Sequence, residues 1–155
     1  MLATARQLGC DFIGLQETRG FGKKEFSPAG YRVFCSGREE TEGRQGLYGV
    51  GLVVKESICR KSVYPHQMID ERLMSMPFEF TGECAAANLV VAYTPTETNP
   101  NPELKEVFQK KWGHLVKQIP TKELPFVQID ENARTGKRTE GCMTVGCLEH
   151  VDVMS

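Results

Sequence analysis

Three observations in the sequence predict a domain of the α+β or α/β class, a mixed sheet covered by helices. Residues 72–93 read as a β-hairpin: Arg72 to Phe80 alternates polar and apolar, Thr81-Gly82-Glu83 turns the chain, and Cys84 to Tyr93 returns. Residues 101–119 carry apolar side chains at helical spacing and lead into an apolar run at 124–129, a helix-to-strand unit. Two apolar runs, Asp11 to Leu15 and Leu124 to Ile129, deliver acidic residues just beyond their ends, Glu17 and Asp130. Open α/β sheets bind their ligands at such carboxyl ends of strands.

The elements follow in order. Leu2 to Leu8 has helix-forming composition, with Gly9 as its C-terminal cap. Asp11 to Gln16 forms the first strand. A polar, glycine-punctuated loop then runs from Thr18 to Gly30, and Tyr31 to Cys35 is the second strand. Ser36 to Gln45 is charged and turn-rich, hence an exposed loop. Leu47 to Val54 is a strand whose Gly49 and Gly51 predict close packing or a bulge. In the hairpin, Pro77 favours an edge or a bulge, because it has no N–H for a ladder. The loop Thr94–Asn101 precedes the clearest helix. Asn101 caps it and Pro102 fits its first position. Leu104, Val107, Phe108, Trp112, Leu115, Val116 and Ile119 form one apolar stripe, and Pro120 stops the helix. Leu124 to Ile129 is the last strand, with Asp130 and Asn132 at its tip. Beyond Ala133 the chain is polar and glycine-rich, with no core element.

Composition narrows the function classes. The chain has 155 residues, 40% of them hydrophobic and 25% charged, one domain with enough apolar content for a core and not a disordered chain. A net charge of −1 argues against strong autonomous DNA binding, which draws on excess Lys and Arg. The longest apolar runs, such as Leu89 to Tyr93, are too short to span a bilayer, so no membrane is expected. Met1 to Arg6 has no apolar core of secretory length. An intracellular setting, nuclear or cytoplasmic, is expected, with Cys10, Cys35, Cys59, Cys84, Cys142 and Cys147 as reduced thiols. Cys142 and Cys147 lack the second pair that a zinc site needs. His66, His114 and His150 show no metal-ligand spacing; His114 lies near the apolar stripe and reads as structural.

Four residues have the chemistry for a phosphoryl site, each with a plainer alternative. Glu17 at a sheet edge suits Mg²⁺, which needs few carboxylates beside its waters; alone it is more often a solvated glutamate. Asp130 and Asn132 project to the same side of an extended tip, one to orient water or metal and one to bind phosphate. The alternative is an Asx-turn, in which they bond their own backbone. Tyr93 can donate its hydroxyl to a phosphate oxygen, or pack on the core with its hydroxyl in water. A fifth residue, Arg72, is either a phosphate contact or a polar-face residue.

Their order and context add a resemblance. The segments LQET (15–18), GYRVFCSG (30–37), YGVGLVVKESI (48–58), ERLMSMPFEF (71–80), LVVAYTPTE (89–97) and DENARTGKR (130–138) closely resemble the endonuclease/exonuclease/phosphatase superfamily. The nearest likeness is the apurinic-type endonuclease domain of non-LTR (RTE/LINE-like) retrotransposons, a group that includes the craniofacial development protein 2-like proteins. The resemblance covers residues 1 to about 136, leaving 137–155 as a divergent tail. It implies two stacked mixed β-sheets flanked by helices, a partial four-layer α-β-β-α sandwich. It also implies Mg²⁺-dependent hydrolysis of DNA phosphodiesters, with Mn²⁺ as a substitute. By that resemblance Glu17 is the metal ligand, Tyr93 and Asn132 hold the scissile phosphate, and Asp130 activates or orients the attacking water. DNA is the implied partner, weakly bound by a chain of this charge; no protein partner is implied.

The departures from the pattern set a further expectation. The family's initial asparagine strand precedes the point where this sequence begins. Its later aspartate and closing Ser-Asp-His motif lie well beyond Asn132, and His150 and Asp152 occur in the wrong order to replace them. Ile129 stands where the family has glycine, and Glu131 where it has phenylalanine. Glu131 is expected exposed on a loosened tip. A chain truncated at both ends, with little or no cleavage activity, is the expectation. Two other readings stand beside it: a non-catalytic protein-interaction module, and a functionless fragment of a retroelement-derived protein.

Overall fold

The apolar runs sort the strands into inner and outer positions. The computed structural model describes residues 2–40, 47–59, 67–79, 86–96 and 101–132. After the short helix α1 (Leu2–Gln7) come β1 (Phe12–Leu15), β2 (Lys23–Phe26), β3 (Tyr31–Ser36), β4 (Val50–Lys55) and the single turn α2 (Glu56–Cys59). Then follow β5 (Gln67–Asp70), β6 (Leu73–Phe78), β7 (Ala87–Tyr93), α3 (Pro102–Gln118) and β8 (Leu124–Asp130).

Two four-stranded sheets result, ordered β1-β4-β3-β2 and β5-β6-β7-β8. The first is antiparallel in every pair, so the expectation of two mixed sheets holds for the second alone. There β5–β6 and β6–β7 are antiparallel and β7–β8 parallel. The cause is connectivity: β7 reaches β8 through α3, and a helical crossover is what lets neighbouring strands run parallel.

Strand alternation feeds three apolar layers. Between the sheets, Phe34, Leu52 and Val54 meet Met74, Met76, Leu89 and Val91. Outside the first sheet, Ala5 of α1 packs with Tyr31, Val33 and Val53. Outside the second, Phe108 and Leu115 of α3 cover Leu73, Val90 and Ala92. Neighbours such as Leu52 and Val53 thus point into different layers, as period-2 geometry requires. The architecture is an α-β-β-α sandwich. Ser36 Oγ donates to the Asp70 carbonyl at 2.7 Å, linking the sheets where β3 faces β5.

Local chemistry sets the ends. Gly9, at φ +67°, closes α1 in a Schellman motif, with Cys10 N–H on the Ala5 carbonyl at 2.9 Å. Asn101 caps α3, its side chain accepting from Glu103 N–H at 3.0 Å, and Ile119 leaves the helix at ψ 119° before Pro120. The apolar stripe is narrower than its spacing predicts: Leu104, Val107 and Val116 stay exposed. His114 is exposed too, bonded to Gln118 at 2.8 Å, and not a core histidine. Pro77 pairs with Asn88 of β7, in a strand that stands between β5 and β7 in its sheet.

Three elements escape the sequence pattern. β2 lies inside the expected loop 18–30, because Lys23–Phe26 is exposed throughout and shows no apolar alternation. β5 and the four-residue α2 are too short to carry a period. The expected strand at Leu47 begins at Val50 instead, since Tyr48 (φ +68°) and Gly49 (φ +102°) are left-handed. The hairpin turn at 81–83, Cys84, Cys142, Cys147, His66, His150 and the segment beyond Asn132 lie outside the described residues.

Candidate functional site

The site forms where strand ends from both sheets meet. β1 runs into Gln16-Glu17-Thr18-Arg19, a turn with Glu17 and Arg19 at φ 51° and 52°. Non-glycine residues rarely adopt this conformation, and neighbouring bonds enforce it here. Thr18 N–H donates to the Gly49 carbonyl at 3.0 Å and Arg19 N–H to that of Tyr48 at 2.7 Å. Gly49 N–H donates in turn to the Glu71 carbonyl at 3.0 Å, carrying the tie across to the second sheet. Gly49 must be glycine: a Cβ there would lie 2.3 Å from Thr18 Oγ1.

On the second sheet, Tyr93 N–H bonds the Arg72 carbonyl at 2.9 Å and Thr94 N–H bonds that of Asp130 at 3.0 Å. The 49–71, 72–93 and 94–130 bonds form a row along the sheet edge. Between the sheets, Gln16 Nε2 donates to the Gln128 carbonyl at 3.3 Å. Gly14 makes room for the Gln128 side chain, whose Oε1 would lie 2.4 Å from any Cβ at position 14.

Of the four expected residues, Glu17 and Tyr93 touch: the Tyr93 hydroxyl donates to Glu17 Oε1 at 2.7 Å. Arg19 Nη2 lies 3.4 Å from Glu17 Oε2. These two bonds, Tyr93 first, hold the Glu17 carboxyl below its ordinary range, so it is ionised. Burial pushes the Tyr93 phenol upward, and the bond to Glu17 adds to that, while the Asn132 amide and the Arg72 charge oppose it. Asn132 Nδ2 donates to the Thr94 carbonyl at 3.0 Å.

Asp130 stands beside Tyr93 in the parallel ladder. The extended tip expected for Asp130 and Asn132 is not found. Asn132 sits at φ 47°, and Asp130 Oδ1 accepts its N–H at 3.0 Å, so the tip is an Asx-turn. Glu131 is exposed as expected, but its tip is not loose: Thr94 Oγ1 donates to the Asp130 carbonyl at 3.1 Å and also to that of Glu131.

Arg72 is neither a polar-face residue nor an exposed phosphate contact. It is buried, with Nη1 donating to the Tyr93 carbonyl at 3.2 Å. Sequence reasoning passed over Tyr48, Thr94, Gln16 and Gln128. The lone glycine at 14 and the lone glutamine in the apolar run 124–129 were the signals that two strands approach closely there. On the outer side, Thr94, Pro95, Phe108, Trp112, Ile129 and Glu131 line a groove of about 470 Å³ against α3.

Among the described residues no three His, Cys, Asp or Glu side chains form a metal-binding group. Mg²⁺ takes one or two carboxylates beside its waters and a substrate phosphate, and an ionised carboxylate half open to water could serve as one of them. Glu17 is the residue that fits. Neither a family model nor a curated protein matches the chain.

Proposed function

We propose that this chain is a Mg²⁺-dependent phosphodiesterase domain of the retrotransposon endonuclease type, acting on DNA and cleaving it slowly or not at all. One observation supports the reading above the rest. Glu17 from one sheet and Tyr93, Asp130 and Asn132 from the other lie at one solvent-open edge, with the Tyr93 hydroxyl directly on Glu17.

In this reading Glu17 holds the ion, which when bound supplies positive charge against the phosphate and the leaving oxygen. The Tyr93 hydroxyl and the Asn132 amide then donate to non-bridging phosphate oxygens. Asp130 takes the proton of the attacking water. Its Oδ1 is engaged by Asn132 N–H, and Oδ2 has no partner among the described residues. Two features weaken the chemistry. Arg19 already offsets part of the Glu17 charge, and the described site holds no imidazole to stabilise the phosphate. Loss of one such donor typically costs on the order of 10²–10³ in rate.

The test is a thermal melt titrated with Mg²⁺, followed by nicking of supercoiled plasmid. The melting temperature should rise with Mg²⁺ in the wild type and not in Glu17→Gln, since a ligand of the native state stabilises it. Any nicking should require Mg²⁺ and vanish in Glu17→Gln and Asp130→Asn. Nicking indifferent to Glu17→Gln would sink the assignment.

A second reading is a non-catalytic module that binds a protein. It is favoured by β8, an edge strand exposing Leu124, Phe126, Val127 and Ile129. Among the described residues β8 pairs with β7 alone, and an open apolar edge is a surface for strand addition. No helix among the described residues is long and apolar enough to cross a membrane.

A further inference from the structure

We propose that Arg72 is a positioning residue of this site: its buried guanidinium clamps Tyr93 against Tyr48 and so keeps the Tyr93 hydroxyl on Glu17. The inference rests on the phosphodiesterase reading only for its functional meaning; the clamp itself stands on geometry. Arg72 is 5% exposed. Its guanidinium carbon lies 3.8 Å from the Tyr48 ring centroid and 5.1 Å from that of Tyr93. The two rings are 6.1 Å apart and inclined at 42°, so the cation bridges them.

The backbone is fixed as tightly as the side chain. Arg72 N–H donates to Asp70 Oδ1 at 2.8 Å, and its carbonyl accepts from Tyr93 N–H at 2.9 Å. Arg72 Nη1 returns a bond to the Tyr93 carbonyl at 3.2 Å. Tyr93 is thus gripped at its N–H, its carbonyl and its ring.

What sets Arg72 apart is the lack of a counter-charge. Among the described residues no carboxylate forms an ion pair with it: Glu17 pairs with Arg19 and Asp70 with Lys111. Taking a cation out of water without an anion is unfavourable, and an apolar side chain would fill the space at less cost. A flat, multi-donor cation does what an apolar group cannot. It stacks on two rings and aims a directional bond at one carbonyl. The outcome is a Tyr93 ring with one orientation, hydroxyl toward Glu17.

The experiment is NMR of the full chain with ¹³C-labelled tyrosine rings, without DNA or metal. In the wild-type background, Glu17→Gln should shift the Tyr93 ring signals, reporting the hydroxyl–carboxylate bond. In Arg72→Met that response should be lost while the melt stays cooperative, and Arg72→Lys should restore it in part. Leu89→Ala, a destabilising change in the same strand, should leave the response intact, which a merely structural role for Arg72 would not predict. A folded Arg72→Met in which Tyr93 still answers to Glu17→Gln overturns the proposal. If Arg72→Met does not fold, Tyr48→Leu removes one wall of the clamp and should attenuate the same response; no attenuation overturns the proposal equally. Absence of plasmid nicking would count against the enzyme reading and leave this readout untouched.

Discussion

β7 and β8 are neighbours, parallel and in register over seven residue pairs from Ala87–Leu124 to Tyr93–Asp130, yet every residue of β7 is buried and most of β8 is exposed. Both strands are apolar enough for a core. Position separates them. β7 has a strand on each side, α3 over one face and the first sheet under the other. Among the described residues β8 has one neighbouring strand, and its inner face meets the short edge strand β1, where Phe12 and Phe126 have ring centroids 5.9 Å apart. Apolar sequence thus measures a strand's capacity for burial, while topology decides how much of it is used. The candidate site straddles this difference. Tyr93 ends the fully buried strand, whereas Asp130 and Asn132 lie at and just beyond the end of the mostly exposed one.

The largest effect should come from cutting the same kind of side chain in each strand. Leu89→Ala leaves a cavity between the sheets and should cost about 3 kcal/mol. Phe126→Ala removes a larger group but a partly solvated one, and should cost about 1 kcal/mol. Urea unfolding measures both. Equal losses would mean that β8 is covered in solution, and the contrast would collapse.

A second break targets the contact across the open side. Gly14→Ala drives a methyl into Gln128 and Val91 and should destabilise by about 1–3 kcal/mol. Adding Gln128→Ala should recover most of that loss, because the two sites share one space. Additive losses would show that Gly14 is constrained by its backbone, not by its neighbour.

The same contrast governs what was legible in the sequence. Strands with full burial or clean alternation, β3, β4, β6 and β7, could be read from pattern alone, and so could α3, whose Asn101-Pro102 start and Pro120 stop are local chemistry. β2 could not, because an exposed KKEF edge strand is specified by its partner β3 and not by its own residues. The antiparallel first sheet was equally hidden, since strand pairing is a long-range fact. At the site, the residue types were visible but their roles were not. Arg72 looks like any polar residue of a hairpin until Tyr48, distant in sequence, is seen to cover it. The Asx-turn at Asp130 was open from residue identity, and the left-handed Asn132 decided it.

A smaller effect should follow from charging the exposed strand. Val127→Lys places an ammonium on a residue 42% exposed at a sheet edge and should change stability by no more than about 0.5 kcal/mol. Self-association, read by light scattering against concentration, should fall, because lysine is a natural guard of open edges. A large destabilisation would reveal a covering element over Val127.

The smallest effect concerns pH, and it joins the two halves of the site. The Glu17 carboxyl is held low in the folded state, chiefly by the Tyr93 hydroxyl and then by Arg19. A lowered carboxyl stabilises the fold at pH above its unfolded value of about 4.3 and loses that contribution as pH falls through the folded value. The Tyr93 phenol is raised, by burial first and by Glu17 second. Its contribution is complete below an unfolded value of about 10 and disappears as pH rises through the folded one. One hydrogen bond therefore shapes both limbs of the stability–pH curve. Tyr93→Phe should remove the Tyr93 share of the alkaline limb, leaving that of the Cys35 and Cys59 thiols that burial also raises, and flatten the acid limb; Glu17→Gln should flatten the acid limb and reduce the alkaline one. Glu17 is well exposed, so added salt should weaken the Arg19 share before the Tyr93 share. An acid limb that survives Tyr93→Phe unchanged would assign the Glu17 shift to Arg19 instead, and the two strand ends would then act independently.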